Sequence, residues 1–170
     1  MDNQNEIQKL IEKAAMVLSA KIKKHKVKEV QDVLSSEFPV DYPITDTRMS
    51  ALSFACSLTE NSPEEQQRNS EILTAIFQCN PNPNYEDNFK RTPLHLASIS
   101  GNKTAVQMLI ATGKVNIDAA TTGGETPLMK AAASGRIEIC QMLLSSGANC
   151  KLACNNNMTA LHFAQINQSG

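Results

Sequence analysis

The hexapeptide TPLHLA at residues 92–97 recurs twice in this chain with small changes. TPLMKA follows at residues 126–131, which is 34 residues later, and TALHFA follows at residues 159–164, which is 33 residues after that. A nearly constant period of this length indicates one supersecondary unit used repeatedly. A single unit of this kind cannot bury its apolar face, so it must stack on its neighbours.

Each hexapeptide predicts the first turn of a short helix. The threonine hydroxyl can cap the helix, and proline at the first helical position gives up only an N–H that has no helical partner. Gly101 and Gly135 follow nine residues after their threonines and suit a left-handed helix end. A second helix is expected after each glycine, because apolar residues recur there at i, i+1, i+4 and i+5. These residues are Ala105, Val106, Leu109 and Ile110 in one unit and Ile139, Cys140, Leu143 and Leu144 in the other.

The chain resembles an ankyrin-repeat protein in its hexapeptides, in the glycines at 101, 124 and 135, and in SGAN at residues 146–149. The resemblance implies an all-α solenoid of stacked helix-turn-helix units joined by β-hairpin fingers. Tetratricopeptide repeats share the period but lack the Thr-Pro start and the long polar hairpin.

We expect one ankyrin-repeat domain over residues 1–170. Its first unit, residues 5–44, is a degenerate amino-terminal cap with helices predicted over 5–22 and 27–35. There Val17 and Ala20 take the places of the Leu and Ala of the hexapeptide. The later units are expected at 45–86, 87–120, 121–153 and, as a partial repeat, 154–170.

Two features depart from a regular array. About nine extra residues at 60–68 are expected to extend the first helix of their repeat, to form a surface loop, or both. The partial repeat holds only a first helix, so apolar surface on the preceding repeat should face solvent unless another segment or a partner covers it. The chain is then either a fragment of a longer one or is capped in trans.

Composition excludes several classes of protein. The net charge is −1, which gives no overall attraction to nucleic acid or membranes, although local patches remain possible. The longest apolar run, residues 14–18, is far shorter than the roughly 18 residues that a membrane span needs. Five cysteines, an odd number, with Cys140 on the core stripe, favour a reducing intracellular compartment, the cytoplasm or the nucleus.

Residues 21–28, KIKKHKVK, form a dense basic cluster between the two predicted helices of the first unit. It is either a contact for phosphate or for an acidic partner, or a solvated cap and turn. The absence of interleaved aromatic residues argues against base stacking and favours the second interpretation.

No pattern in the chain predicts catalysis, a cofactor or a metal. His95 and His162 lie inside hexapeptides, where the resemblance implies a structural hydrogen-bonding role. Cys150 and Cys154 have a spacing that a metal could use, but a structural zinc requires four ligands. The glycines at 123 and 124 are isolated and belong to a hairpin, with no phosphate-binding Lys-Ser/Thr pair after them. We therefore expect a protein that is not an enzyme and carries no cofactor.

The resemblance implies that partners bind at the hairpin fingers and at the exposed side of the first helices, which together form a concave face. The predicted partner-binding residues are Met49, Glu86, Asn88, Phe89, Arg91, Ile99, Thr122, Glu125, Asn155, Asn156 and Met158. The apolar members and Arg91 are the residue types that dominate the energy of many interfaces. They predict a stripe that docks a peptide or helix. The alternative is that Phe89 folds back onto its own finger and Met158 packs against the neighbouring hairpin.

The function expected from these observations is that of a non-enzymatic scaffold that recognises another protein. Two alternatives stay open. The first alternative is that the chain is a permanent structural subunit of a large assembly. The second is that it is the targeting domain of an enzyme whose catalytic part lies beyond Gly170.

Overall fold

The computed structural model describes residues 2–36 and 38–168. The described residues form nine helices in the following order. They are α1 Asp2–Lys23, α2 Val27–Leu34, α3 Ala51–Cys56, α4 Pro63–Gln78, α5 Pro93–Ser100, α6 Lys103–Ala111, α7 Pro127–Ala133, α8 Ile137–Ser145 and α9 Ala160–Gln168.

The helices stack as consecutive antiparallel pairs. The first helix of each pair contacts the first helix of the next, in the series α1, α3, α5, α7, α9. The second helices contact one another in the series α2, α4, α6, α8. A single apolar core runs through the stack from Ala15 to Ala160. The predicted all-α repeat solenoid is confirmed.

The hexapeptides begin helices for the reasons that their residues suggested. Pro93 and Pro127 occupy the first turns of α5 and α7, and the Thr126 hydroxyl accepts the N–H of Met129. Gly101 ends α5 with φ at +86°, a conformation that a residue with Cβ adopts only at a cost. Leu94 and Leu128, which follow these prolines, are buried in the core.

The predicted fingers are tight hairpin turns. In three of them the N–H five residues before the hexapeptide donates to the carbonyl one residue before it. The pairs are Asp87 to Arg91, Thr121 to Glu125 and Cys154 to Met158, at 3.1, 3.0 and 2.9 Å. The residue two before each hexapeptide, or before its weaker version at 50–55, has a positive φ: Arg48, Lys90, Gly124 and Asn157. Extended strands are absent from the described fingers, where the isolated β-bridge joins Ala153 and Thr159.

The alignment predicted for the first unit is wrong by about one residue. Ala15, Leu18 and Ile22 are the buried residues of α1, whereas Val17 and Ala20 are exposed. Residues 15, 18 and 22 share one helix face, and that face packs against α2 and α3. The outer face of α1 therefore keeps apolar side chains in contact with solvent.

Residues 60–62 of the extra segment lie in the loop between α3 and α4, as the surface-loop alternative expected, and residues 63–68 lengthen α4. The expectation that the segment extends the first helix is wrong. α3 ends at Cys56, and α4 has 16 residues against 9 in α6 and 9 in α8. The start of α4 is set by a helix N-terminal signal. The Ser62 hydroxyl accepts the N–H of Glu65, Pro63 follows it, and the Glu65 carboxylate accepts the N–H of Asn61.

Apolar surface is exposed on α8 and α9. Leu161 occupies the hexapeptide position of Leu94 and Leu128, yet it is 66% exposed whereas they are 0% and 3% exposed. Ile137, Leu144 and Ile166 are exposed nearby on α8 and α9. None of the described helices has the length and apolar character needed to span a membrane.

Leu128→Ala and Leu161→Ala make the same chemical change at the same position of two units. We expect Leu128→Ala to lower the free energy of unfolding by about 2–5 kcal/mol, because it leaves a cavity between packed helices. Leu161→Ala should cost about 1 kcal/mol or less, since most of that side chain is already in water. Urea unfolding followed by circular dichroism measures both, and equal losses would contradict this packing.

Candidate protein-binding face

The fingers are joined to one another by backbone hydrogen bonds. In three successive fingers a backbone N–H donates to a carbonyl oxygen of the preceding finger. These bonds run from Asn88 to Thr47, from Thr122 to Phe89 and from Asn155 to Gly123, at 3.1, 3.0 and 3.0 Å. The side-chain amide of Asn155 also donates to the Thr122 carbonyl at 3.1 Å. The fingers therefore form one continuous hydrogen-bonded row rather than independent loops.

A buried carboxylate organises the finger that carries Phe89. The Asp87 side chain is fully buried, and its Oδ1 accepts the backbone N–H groups of Phe89 and Arg91 at 2.9 Å each. Its Oδ2 accepts from the guanidinium of Arg91, with both Nε and Nη2 at 2.7 Å. Asp87 thus fixes the turn and the Arg91 side chain together.

Asp87 was absent from the sequence prediction, although a periodic signal for it exists. It lies five residues before its hexapeptide. Thr45 and Thr121 lie at the same position in other units, and their hydroxyls accept backbone N–H groups of their own fingers. An oxygen-bearing side chain at this position caps the finger turn. Cys154 occupies the position in the last unit, and a thiol accepts only weakly.

Phe89 is placed at the surface beside this fixed guanidinium. The Arg91 Cζ lies 4.9 Å from the centroid of the Phe89 ring, within the range of a cation–π contact. The ring contacts its own finger, yet half of the Phe89 residue surface, 50%, remains exposed. A large aromatic surface is therefore held in solvent in one orientation.

Phe89 and Arg91 line one side of a shallow groove between two fingers. The residues that line this groove are Phe89, Arg91, Thr121, Thr122, Glu125 and Lys130. Four of the predicted partner-binding residues meet here. Lys130 was missed because it lies inside the hexapeptide, and it reaches back from α7 to pair with the Glu125 carboxylate.

The other predicted residues lie outside this groove. Glu86, Asn88, Asn155 and Asn156 are exposed along the finger row. Met49 and Met158 are half-buried and pack against the core. Ile99 is half-buried near the end of α5, where its carbonyl oxygen accepts from Arg136 Nε at 3.3 Å.

His95 connects α5 to the finger that carries Glu125. Its Nδ1 accepts the backbone N–H of Thr92 at 3.1 Å, so Nε2 carries the proton and donates to the Glu125 carbonyl at 2.9 Å. Burial lowers the pKa of His95 to about 4 and keeps the ring neutral. In the next unit Met129 takes this place, and a thioether cannot donate the corresponding bond.

The acidic groups in the groove and beneath it are held in ion pairs. Within the part of the chain that the structure describes, no three His, Cys, Asp or Glu side chains lie close enough to hold a metal ion. The groove carboxylate of Glu125 is paired with Lys130, and that of Asp87 with Arg91. What the arrangement provides is a rigid surface with one exposed aromatic ring and fixed polar groups.

The stacked helix pairs and their row of hairpin turns place the chain in the class of helical-repeat solenoids. A family profile described as ankyrin repeats, in three copies, matches residues 65–154 and 124–169. The chain belongs to the ankyrin-repeat family. Members of this family are in general non-catalytic modules for protein–protein interaction.

Relatives of known name match parts of the chain. Neurogenic locus notch homolog protein 4 of Homo sapiens is 33% identical over 74 residues, covering 44% of this chain and 4% of the relative. An E3 ubiquitin-protein ligase of Arabidopsis thaliana, XBAT33, is 31% identical over 120 residues, covering 68% and 23%. Inversin of Mus musculus is 34% identical over 71 residues, covering 42% and 7%. The chain thus spans less than a quarter of the length of each of these relatives.

The neutral state of His95 predicts a pH-dependent stability. An unfolded histidine takes up a proton near pH 6.5 while folded His95 does so only near 4, so the free energy of unfolding should fall as the pH drops through this window. We expect protonation linked to His95 to lower the free energy of unfolding by about 2–3 kcal/mol between pH 7 and pH 4.5.

Urea unfolding of wild type and His95→Gln at several pH values isolates this contribution, because both proteins share every other titrating group. The variant should be less stable at pH 7 and should lose less stability on acidification. Parallel pH profiles of the two proteins would contradict the assignment.

Proposed function

We propose that this chain is a non-enzymatic scaffold that binds another protein through the groove between its fingers. The observation that carries the proposal is the half-exposed ring of Phe89, held over Arg91 by the buried carboxylate of Asp87. Membership of the ankyrin-repeat family supports it, since such repeats generally mediate protein–protein interactions.

The fixed geometry favours binding energetically. Truncating an aromatic or arginine side chain at the centre of an interface commonly costs about 2 kcal/mol or more of binding free energy. Ordering a flexible side chain on binding costs about 0.5–1.5 kcal/mol. Arg91 already makes two bonds to Asp87, so most of that cost is met in the free protein.

The charges around the groove indicate what kind of partner it takes. Arg91 and Lys130 are each paired within the chain, with Asp87 and Glu125, so the groove presents little unpaired charge. We infer a peptide or helix that lays an apolar side chain on Phe89. Its polar groups would bond to the exposed finger residues, such as Asn88, Asn155 and Asn156.

We propose an intracellular, reducing compartment for the protein, the cytoplasm in the first instance. All five cysteines are free thiols, and burial raises the pKa of the Cys56 thiol well above its usual value. A buried thiol of this kind is a small apolar packing residue, as in proteins kept reduced.

A second function is favoured by the apolar surface at the other end of the array. Ile137, Leu144, Leu161 and Ile166 are exposed on α8 and α9. Such a surface suits a permanent neighbour in a larger assembly, or a further domain of the same protein. The match to part of an E3 ubiquitin-protein ligase supports the second case, in which this chain is the targeting region of an enzyme.

A photo-crosslinking residue placed at the exposed position Thr122 tests the groove directly. A partner protein in an extract of the source cells should be crosslinked from this position. The same residue placed at Gln107, which is exposed on α6, should not capture that partner.

The dissociation constant of the captured partner then measures the role of Phe89. We expect Phe89→Ala to weaken binding about thirtyfold, whereas Ile137→Ala, an equally simple loss of exposed apolar surface, should leave it unchanged. If Ile137→Ala weakens binding and Phe89→Ala does not, the groove proposal fails and the α8–α9 surface is the interface.

A further inference from the structure

The second half of α1 presents an outer face that is apolar in the middle and basic at both ends. Its residues are Lys13, Met16, Val17, Ala20 and Lys23, with Lys24 directly after the end of the helix, and all six are exposed. They follow one another at spacings of three residues or one residue, so they lie on one side of the helix. Met16 has the highest exposed fraction, 73%, of the exposed large apolar residues.

The rest of α1 prevents this face from turning inward. Ala15, Leu18 and Ile22 are buried against α2 and α3. A rotation that covered Met16 and Val17 would expose these three residues in their place. The exposure of the outer face is therefore a consequence of the packing and not of a loosely held helix.

Positive charge is concentrated around this face. Residues 13–28 contain six lysines and no acidic residue, in a chain with a net charge of −1. Lys26 and Lys28 extend the basic surface into the turn and into α2, and both are exposed. Lys21 pairs with Glu29, and the pKa of Glu29 is lowered by Lys21 first and then by Lys26 and Lys24. The carboxylates of α1 whose side chains are described, Glu6 and Glu12, precede the outer face.

We propose that the outer face of α1 binds the surface of an anionic lipid bilayer. Met16 and Val17 would enter the boundary between headgroups and acyl chains, and Lys13, Lys23, Lys24, Lys26 and Lys28 would contact anionic headgroups. Amphipathic helices with lysines beside exposed apolar residues bind membranes in this way, and each lysine near the surface strengthens binding roughly fivefold.

The shape of the face favours a lipid surface over an acidic protein. Side chains on the outside of a single helix diverge, so they offer a convex surface rather than a groove. A fluid headgroup layer adapts to a convex surface, and lysine stems can lie along it while their charged ends reach the headgroups.

This binding would leave the finger groove free. The outer face shares no residue with the groove lined by Phe89, Arg91 and Glu125. The inference therefore goes beyond the proposed function, and either one can fail without the other.

Sedimentation with vesicles tests the charge component. The full chain should bind vesicles of phosphatidylcholine mixed with phosphatidylserine, should bind pure phosphatidylcholine weakly, and should be released by salt. Lys23→Gln with Lys24→Gln should weaken binding at least tenfold. Lys114→Gln with Lys151→Gln, two exposed lysines elsewhere, removes the same charge and should have a much smaller effect.

Fluorescence tests the insertion of Met16, because the chain contains no tryptophan. A Met16→Trp variant should show a blue shift of its emission when mixed vesicles are added. An Ile137→Trp variant carries the reporter at a site that is similarly exposed, 71%, but lies on α8, and its emission should not change.

Three results would overturn the inference. The first is that the chain does not bind mixed vesicles at low salt. The second is that the two lysine double variants lose the same amount of vesicle binding. The third is that the emission of Met16→Trp does not shift although the protein sediments with the vesicles. The last result, together with tight binding of poly-glutamate, would assign the face to an acidic protein instead.

Discussion

The whole structure depends on the inability of one helix pair to bury its own apolar side. Leucines at one hexapeptide position show this constraint directly, because Leu94 and Leu128 are enclosed and Leu161 is not. Stability in such an array is a sum over units and over the contacts between neighbours. The finger row adds a second linkage at the edge of the stack, where each finger donates a backbone hydrogen bond to the one before it. Packing holds the helices, and the finger bonds hold the face on which a partner can bind.

Much of this fold could be predicted from the sequence, because its signals are local and repeated. A threonine, a proline and a glycine at set offsets determine where α5 and α7 begin and end. The errors occur where two local signals compete. In α1 both the 17/20 and the 15/18/22 positions have helical spacing, and only contact with α2 and α3 decides which set is buried. At α4 the run Ser62-Pro63-Glu64-Glu65 is a helix start, but its polarity resembles that of a loop.

The candidate site shows the same limit in a different form. The family resemblance selected positions on the fingers and on the first helices, and four of them meet in one groove. It did not select Asp87, which is buried and acts on the face through Phe89 and Arg91, nor Lys130, whose side chain reaches out of a helix. Residues that hold a binding surface in place need not belong to that surface. Such supporting residues are identified from the hydrogen bonds of the structure, because the spacing of residues in the sequence does not reveal those bonds.

The replacement of histidine by methionine at position 129 makes the array unequal along its length. His95 bridges α5 to the finger of the next unit, and Met129 cannot bridge α7 to the finger after it. The last unit also lacks an oxygen at the finger position of Cys154 and leaves Leu161 uncovered. Met129 and Cys154 thus each remove a polar contact near one junction, that between α7 and the finger after it, whereas the junction between α5 and the finger of Glu125 keeps both the histidine bridge and the threonine cap. The backbone and side-chain bonds of Asn155 to Gly123 and Thr122 then join the last finger to the row, so this asparagine has a structural task at the surface where it is also predicted to meet a partner.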